Sequence, residues 1–261
     1  MNAKGHEMHR MQKQHHIDLV PGDVGETIFL PGDINRAKII ADHFDESHLV
    51  SKKRQYITYT GKYKDVKVSV TSTGIGGPAV AIAVEELIKV GARNFIRIGT
   101  GGMLQTWLPV PAIIIGTAAV RGDGTSREYF PLEYPAVADF HTVESLIQSA
   151  EERGVRVFPG IIRGHDAFYA ESTLAKIDYL ARDKPWIDAG VLIVSNESST
   201  LFPLAMVRRC RSGTILCSAG SHQKPDMAAS EEEFNLTVSN AIMIALDAAI
   251  KLQIIDHGIV K

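Results

Sequence analysis

The chain switches between two hydrophobic rhythms. Short apolar runs, continuous or alternating by twos, are separated by stretches in which apolar residues recur at three and four. Thr27–Leu30 is a brief apolar run ending in Pro31-Gly32-Asp33, and from Asn35 to Phe44 the residues Ala37, Ile40, Ala41 and Phe44 keep helical spacing. Tyr56–Thr60 and Val66–Thr71 alternate by twos about Gly61-Lys62, which predicts a β-hairpin turning there. Pro78 to Val90 predicts a helix stopped by Gly91. Asn94–Ile98 and Ala112–Ala119 read as buried strands, Thr142–Arg153 as a helix closed by Gly154, and Val155–Ile162 and Gly190–Val194 as strands. Glu197–Arg208 predicts a helix, Thr214–Ser218 a strand, and Ser230–Leu252 a long amphipathic helix. Strands separated by single helices predict an α/β domain with a largely parallel sheet covered by helices on both faces. Residues 1–15 predict a flexible N-terminal arm. Residues 16–261 carry no repeat, low-complexity tract or linker and predict a single domain.

Composition narrows the function classes. Of 261 residues, 45% are apolar and 22% charged, and the net charge is −2, an ordinary balance for a globular chain. One domain of this length buries roughly three quarters of its unfolded surface. The absence of a basic tract or basic-aromatic face predicts no nucleic-acid partner. Cys210 and Cys217 lack metal-ligand spacing; they could be partners, but buried thiols of a reducing compartment are the better reading, so the expected location is cytoplasmic. The first residues do not resemble a signal peptide, and no uncharged apolar run reaches about 18 residues, so no membrane span is expected. His6, His9, His15 and His16 show no regular metal spacing with carboxylates, so no metal is predicted and the arm reads as solvated and tag-like.

The chemistry concentrates in glycine turns at strand ends. Arg97-Ile98-Gly99-Thr100-Gly101-Gly102 puts an arginine and a hydroxyl at the end of an apolar strand, with Gly74-Ile75-Gly76-Gly77 upstream. Pro31-Gly32-Asp33 is a third such turn, followed by Arg36. Neither the dinucleotide spacing nor the P-loop spacing is present. Each turn alone reads equally as a strand-to-helix connection. Together with Arg36, Arg97 and Thr100 they predict one small, highly charged anion, because the planar arginine fork donates two parallel hydrogen bonds to phosphate. Glu197 follows a strand and opens a helix, so it reads either as an acceptor for ligand hydroxyls or as an acid favoured by the helix dipole. Phe168 and Tyr169 read either as a stacking platform or as core, and His16 alone reads as a solvated side chain. No Ser/His/Asp, Cys/His or paired-carboxylate set stands out.

Several of these segments resemble, in order and spacing, the uridine phosphorylase branch of the nucleoside phosphorylase-I family: Leu30 to Arg36, Ser72 to Gly77, Ala83 to Leu87, Arg97 to Gly101 and Pro131 to Asp139. The resemblance runs from about His16 to the last helix. It implies a three-layer α/β/α fold with a mixed central sheet. The implied assembly is a hexamer built as a trimer of dimers. The implied reaction is phosphorolysis of a nucleoside, uridine or a related pyrimidine, to free base and ribose 1-phosphate, with inorganic phosphate as co-substrate and no cofactor. Matched residue by residue, Gly32, Arg36, Arg97 and Thr100 correspond to phosphate ligands. Arg54 corresponds to an arginine lent by a neighbouring subunit. Glu197 corresponds to the glutamate on the ribose hydroxyls, with Thr100 and Asn196 beside it, and Phe168 to the aromatic on the nucleoside. His16 keeps the spacing of a histidine donated to a partner's 5′-hydroxyl. Arg97 and Glu197 are the residues expected to carry catalysis.

The base half departs from that family. Where uridine enzymes have a glutamine and an arginine that read uracil, the chain has Ser172 and Leu174. Ser218-Ala219-Gly220-Ser221-His222 lacks the aspartate of the purine enzymes, and Asn196 replaces a methionine. Gln55 and Ala79 replace the glutamate and serine of a potassium site, so that ion is not carried over. Glu171, Ser172, Asn196, Ser221 and His222 are the expected base readers. Purine or 5′-modified nucleoside phosphorolysis, a hydrolytic nucleosidase and an inactive nucleoside-binding homologue remain as alternatives.

Overall fold

A computed structural model describes residues 13–169, 179–221, 223–224 and 226–258. One nine-stranded sheet runs through them. Its strands are β1 (Thr27–Leu30), β2 (Glu46–Lys53), β3 (Tyr56–Tyr63), β4 (Val66–Thr71), β5 (Asn94–Thr100), β6 (Ala112–Gly122), β7 (Phe158–His165), β8 (Ile193–Val194) and β9 (Arg211–Ser218). The spatial order is β2-β3-β4-β1-β5-β9-β6-β7-β8. The helices are α1 (Ile34–Ala41), α2 (Gly77–Lys89), α3 (Gly124–Tyr129), α4 (Phe140–Glu152), α5 (Tyr179–Asp188), α6 (Ser198–Val207) and α7 (Glu231–Gly258).

Strand alternation splits the core into two sheets of side chains. Ile28, Leu30, Phe95, Ile114 and Leu216 point to the face covered by α2 and α6. Phe29, Ile96, Ile98, Ile113, Ile115, Ile215 and Cys217 point to the face covered by α1, α4 and α7. Successive residues of a strand face opposite ways, so a strand that is apolar throughout requires a helical layer on both sides. This is the expected three-layer arrangement. Helix α7 is long and apolar enough to cross a membrane by length and composition. Its Ala241, Ile242, Ala245, Leu246, Ala249 and Leu252 are instead fully buried in the second core.

The sheet is mixed, as the resemblance implies, and it is still largely parallel, since five of its eight strand pairings are parallel. β2-β3-β4 is an antiparallel meander, and β6 runs antiparallel to β9. Strand β2 was missed because it is an edge strand exposed over most of its length, and so has no apolar rhythm. The predicted turn at Gly61-Lys62 lies inside β3, and the chain turns at Lys64-Asp65, both with positive φ. Gly61 serves a different purpose: a Cβ there would fall 1.8 Å from the Glu46 carbonyl oxygen of the paired strand β2. Gly190-to-Val194 shrinks to the two residues of β8, because Gly190 is the left-handed stop of α5 (φ 78°). Val155–Ile162 shifts to Phe158–His165, while α3 and α5 had no predicted counterpart. Of the N-terminal arm, 13–15 are tied down by Gln14 N–H to the Leu19 carbonyl (2.9 Å) and Lys13 to Asp18 (2.9 Å), and the rest lies outside the described residues.

Candidate active site

Parallel pairing brings the carboxyl ends of β4, β1, β5 and β9 to one edge of the sheet. The segment after β5 then folds across to β8. Met103 bridges to both Ile193 and Ser221, Val194 N–H donates to the Gly102 carbonyl (3.0 Å), and Leu104 N–H to the Leu192 carbonyl (2.8 Å). Gly101 is required at this crossing, since a Cβ would lie 2.1 Å from the Val194 carbonyl oxygen. The crossing carries Ser195-Asn196-Glu197, at the exit of β8, up against Arg97 on β5. The turns after β1 and β4 are joined in the same way, Gly74 N–H donating to the Gly32 carbonyl (3.1 Å).

These ends enclose a cleft of about 940 Å³. At its floor, Arg97 and Glu197 are almost wholly buried and joined by an ion pair, Nη2 to Oε2, at 2.5 Å. Glu197 also accepts from Gly76 N–H (2.9 Å) and from the Ser195 hydroxyl (3.3 Å). Glu197 is the residue before α6, but its side chain makes no capping bond, so the helix-dipole reading does not account for its direction. The Nε and Nη1 of Arg97 find no hydrogen-bond partner among the described residues. Burial pushes the Arg97 pKa down and Arg36 adds to this, while Glu197 opposes both. A buried guanidinium with unsatisfied donors, beside a second arginine, has the donors and the charge that an anion would satisfy.

Gly32, Arg36, Thr100, Phe168, Asn196 and Ser221 line the same cleft as Arg97 and Glu197. Asp33 caps α1 by accepting from Asn35 N–H (2.6 Å), which starts the helix that carries Arg36. Gly32 stands where a Cβ would meet the Gly74 carbonyl at 3.2 Å and the Arg97 guanidinium at 3.8 Å. Phe168 and Tyr169 meet edge to face at 4.9 Å and are 64% and 84% exposed, so they form a rim and are not core. The Ser221 hydroxyl accepts from Gln223 and Lys224 N–H (3.2 and 3.3 Å). Glu171, Ser172, Leu174 and His222 lie outside the described residues.

His16 and Arg54 do not line the cleft. Arg54 is exposed in the tight β2–β3 turn with φ 54°, and His16 is held by Glu86 on α2. Sequence reasoning missed Ser195, which braces Glu197, and the Gly76 N–H that fixes its other oxygen. It also missed His165, Ala219, Met227, Ala228 and Phe234 among the lining residues. These come from loop contacts that no linear spacing encodes. Among the described residues no group of His, Cys, Asp and Glu could hold a metal ion.

The chain matches the model of the phosphorylase superfamily over residues 26–251. It is similar to a uridine phosphorylase of Treponema pallidum, 40% identical over 239 residues that cover 90% of this chain and 92% of that one. It is also similar to a guanosine phosphorylase of Halorubrum lacusprofundi, 37% identical over 248 residues covering 93% and 100%. A crystal structure of uridine phosphorylase from Vibrio fischeri superposes with a TM-score of 0.82 at 29% identity, covering 92% of this chain and 97% of that one.

Proposed function

The chain belongs to the phosphorylase superfamily, and from that membership we propose a pentosyltransferase of the uridine phosphorylase type, which cleaves a nucleoside with inorganic phosphate to free base and ribose 1-phosphate. One observation carries the phosphorolytic reading. Arg97 is buried at the cleft floor with Nε and Nη1 unsatisfied, beside a carboxylate fixed by its Nη2 and by Gly76 N–H. Hydrolysis by water needs no such anion clamp.

The chemistry follows from the placement. Arg36, Arg97, Thr100 and the Gly32 turn hold phosphate, joined by Arg54 from a neighbouring copy, and present it to one face of the sugar. Glu197 accepts from the ribose hydroxyls, with Asn196 beside it. As the glycosidic bond lengthens, positive charge grows on the ribose ring and the phosphate dianion stabilises it. The departing base gathers negative charge, which donors such as the Asn196 amide and Ser221 hydroxyl meet at the other end of the cleft. Phe168 packs on the nucleoside, and Ser172 and His222 complete the base-reading set. Phosphate is the only co-substrate. The assembly is a homohexamer, a trimer of dimers, with His16 and Arg54 exchanged between copies. Both cysteines are free, which accords with a cytoplasmic enzyme.

Purine nucleosides are the second reading, favoured by the likeness to a guanosine phosphorylase. The test is a nucleoside panel incubated with and without phosphate, following free base and sugar phosphate. Phosphate-dependent release of uracil from uridine is expected. Release without phosphate overturns phosphorolysis, binding without turnover indicates an inactive homologue, and turnover of guanosine alone selects the purine reading.

A further inference from the structure

We propose that Glu86 is a positioning residue for His16, holding its ring so that Nε2 is the nitrogen offered to the 5′-hydroxyl of a nucleoside in a second copy of this chain. This rests on the phosphorylase reading and on His16 serving a neighbour's cleft.

Glu86 is an unusual residue for its place. It sits in the buried stripe of α2, 8% exposed, while the adjacent Glu85 pairs with Arg208 at the surface (2.7 Å). A buried carboxylate is costly unless hydrogen-bonded. Among the described residues, the hydrogen bonds that Glu86 accepts come from His16 and Ile17. It accepts from the backbone N–H of His16 (2.9 Å) and of Ile17 (2.9 Å), and its Oε1 lies 2.7 Å from His16 Nδ1. Burial raises the Glu86 pKa and these hydrogen bonds more than reverse it, so the carboxyl sits below its ordinary value. An ionised carboxylate only accepts, so Nδ1 carries the proton and Nε2 is the remaining ring position. A structural anchor would need only the two backbone donors. The third bond fixes a side chain that has no part in this chain's own cleft.

The surroundings say where that nitrogen is used. The Ser51 hydroxyl at the end of β2 donates to the Ile17 carbonyl (2.8 Å), which ties the clamp to the β2–β3 turn bearing Arg54. The next residue, Gln55, packs on the cleft rim, where a Cβ on Gly74 would lie 3.0 Å from its Cγ. Ile75, on that rim, is 77% exposed. One face therefore carries His16 and Arg54 and borders the cleft mouth. A second copy related by a two-fold axis meets such a face with the same face, so each copy delivers its His16 to the other's rim.

The experiment compares kcat/KM for uridine and 5′-deoxyuridine in the wild type, Glu86→Gln and His16→Ala, with oligomeric mass and melting followed alongside. Loss of one hydrogen bond to the 5′-hydroxyl predicts a fall in the uridine to 5′-deoxyuridine ratio of about 10-fold for His16→Ala, and of at least ~3-fold for Glu86→Gln. If Glu86→Gln lowers both substrates equally, or leaves the ratio unchanged while His16→Ala lowers it, Glu86 is structural and the proposal fails. If His16→Ala leaves the ratio unchanged while uridine is still phosphorolysed, the proposal fails but the phosphorylase reading stands. If the wild type phosphorolyses neither uridine nor guanosine, the phosphorylase reading itself falls, and if it takes guanosine alone the same ratio is read with guanosine and 5′-deoxyguanosine.

Discussion

The two ends of the cleft are built differently. At the anion end, Arg97, Glu197 and Ser195 are buried, and the ion pair, the Gly76 N–H and the Ser195 hydroxyl lock them to strand ends and a helix start. At the base end, Phe168 and Tyr169 stand exposed on the loop after β7, and Ser221 lies on the loop after β9. On the proposed function, the rigid end holds the groups that meet developing charge, where small displacements cost most. The loop end holds groups that choose a planar ligand and can change without disturbing the core. What is done to the glycosidic bond is thus, on the proposed function, separated from which base is released.

Substitutions at the two ends should separate in kind and in size. Arg97→Ala removes the anion's buried partner and strands Glu197, so kcat/KM for uridine should fall roughly 10³-fold, read by phosphate-dependent release of uracil. Unimpaired phosphorolysis would put the anion elsewhere. Glu197→Gln keeps the shape but loses the charge that meets both the guanidinium and the ribose hydroxyls. A fall on the order of 10²-fold is expected, mainly in kcat. Phe168→Ala, at the exposed end, should raise KM about 10-fold with little change in kcat, because stacking contributes roughly 1–3 kcal/mol to holding a base. Equal losses at Phe168 and Glu197 would erase the distinction between the ends.

A smaller effect tests the bracing behind the rigid end. Asp123 is fully buried and accepts from Ser126 N–H (2.6 Å), the Ser126 hydroxyl (3.0 Å) and the Thr200 hydroxyl of α6 (2.8 Å). Burial raises its pKa, but the hydrogen bonds it accepts prevail and hold the carboxyl below its ordinary value. The stability it contributes is then fully present above the unfolded aspartate value of about 3.9 and is lost as pH falls through the lower folded value. Asp123→Asn should therefore melt below the wild type at neutral pH, with the gap closing as the pH drops below about 4. A constant gap across that range would mean that charge plays no part.

The anion end was legible in the sequence because its parts lie in short segments with local constraints. The Pro31-Gly32-Asp33 turn, Arg97 through Thr100 and the strand-to-helix step at Glu197 each announce a strand end with a charged or hydroxyl side chain. The two readings of Glu197 look alike in sequence, because helix capping and ligand binding put a carboxylate at the same linear position. The base end was less legible. Phe168 and Tyr169 could as well have been core, and only their exposure separates the two. His16 illustrates the limit: its partner Glu86 is 70 residues away in the chain.

By itself the sequence determined the two-sided apolar strands, the long helices that cover them, the glycine turns and the arginines set at the strand ends. All of these follow from local periodicity and from the few residue types that suit phosphate. The tertiary structure decided the antiparallel departures in the sheet, the use of Gly61 for the close approach of β2 to β3, and the joining of Arg97 to Glu197 through the bridge at Met103. It also turned His16 and Arg54 away from their own cleft. The physical reason is the same in each case: close approach and the pairing of buried charges depend on which distant segments the core forces together, and no periodicity along the chain records that.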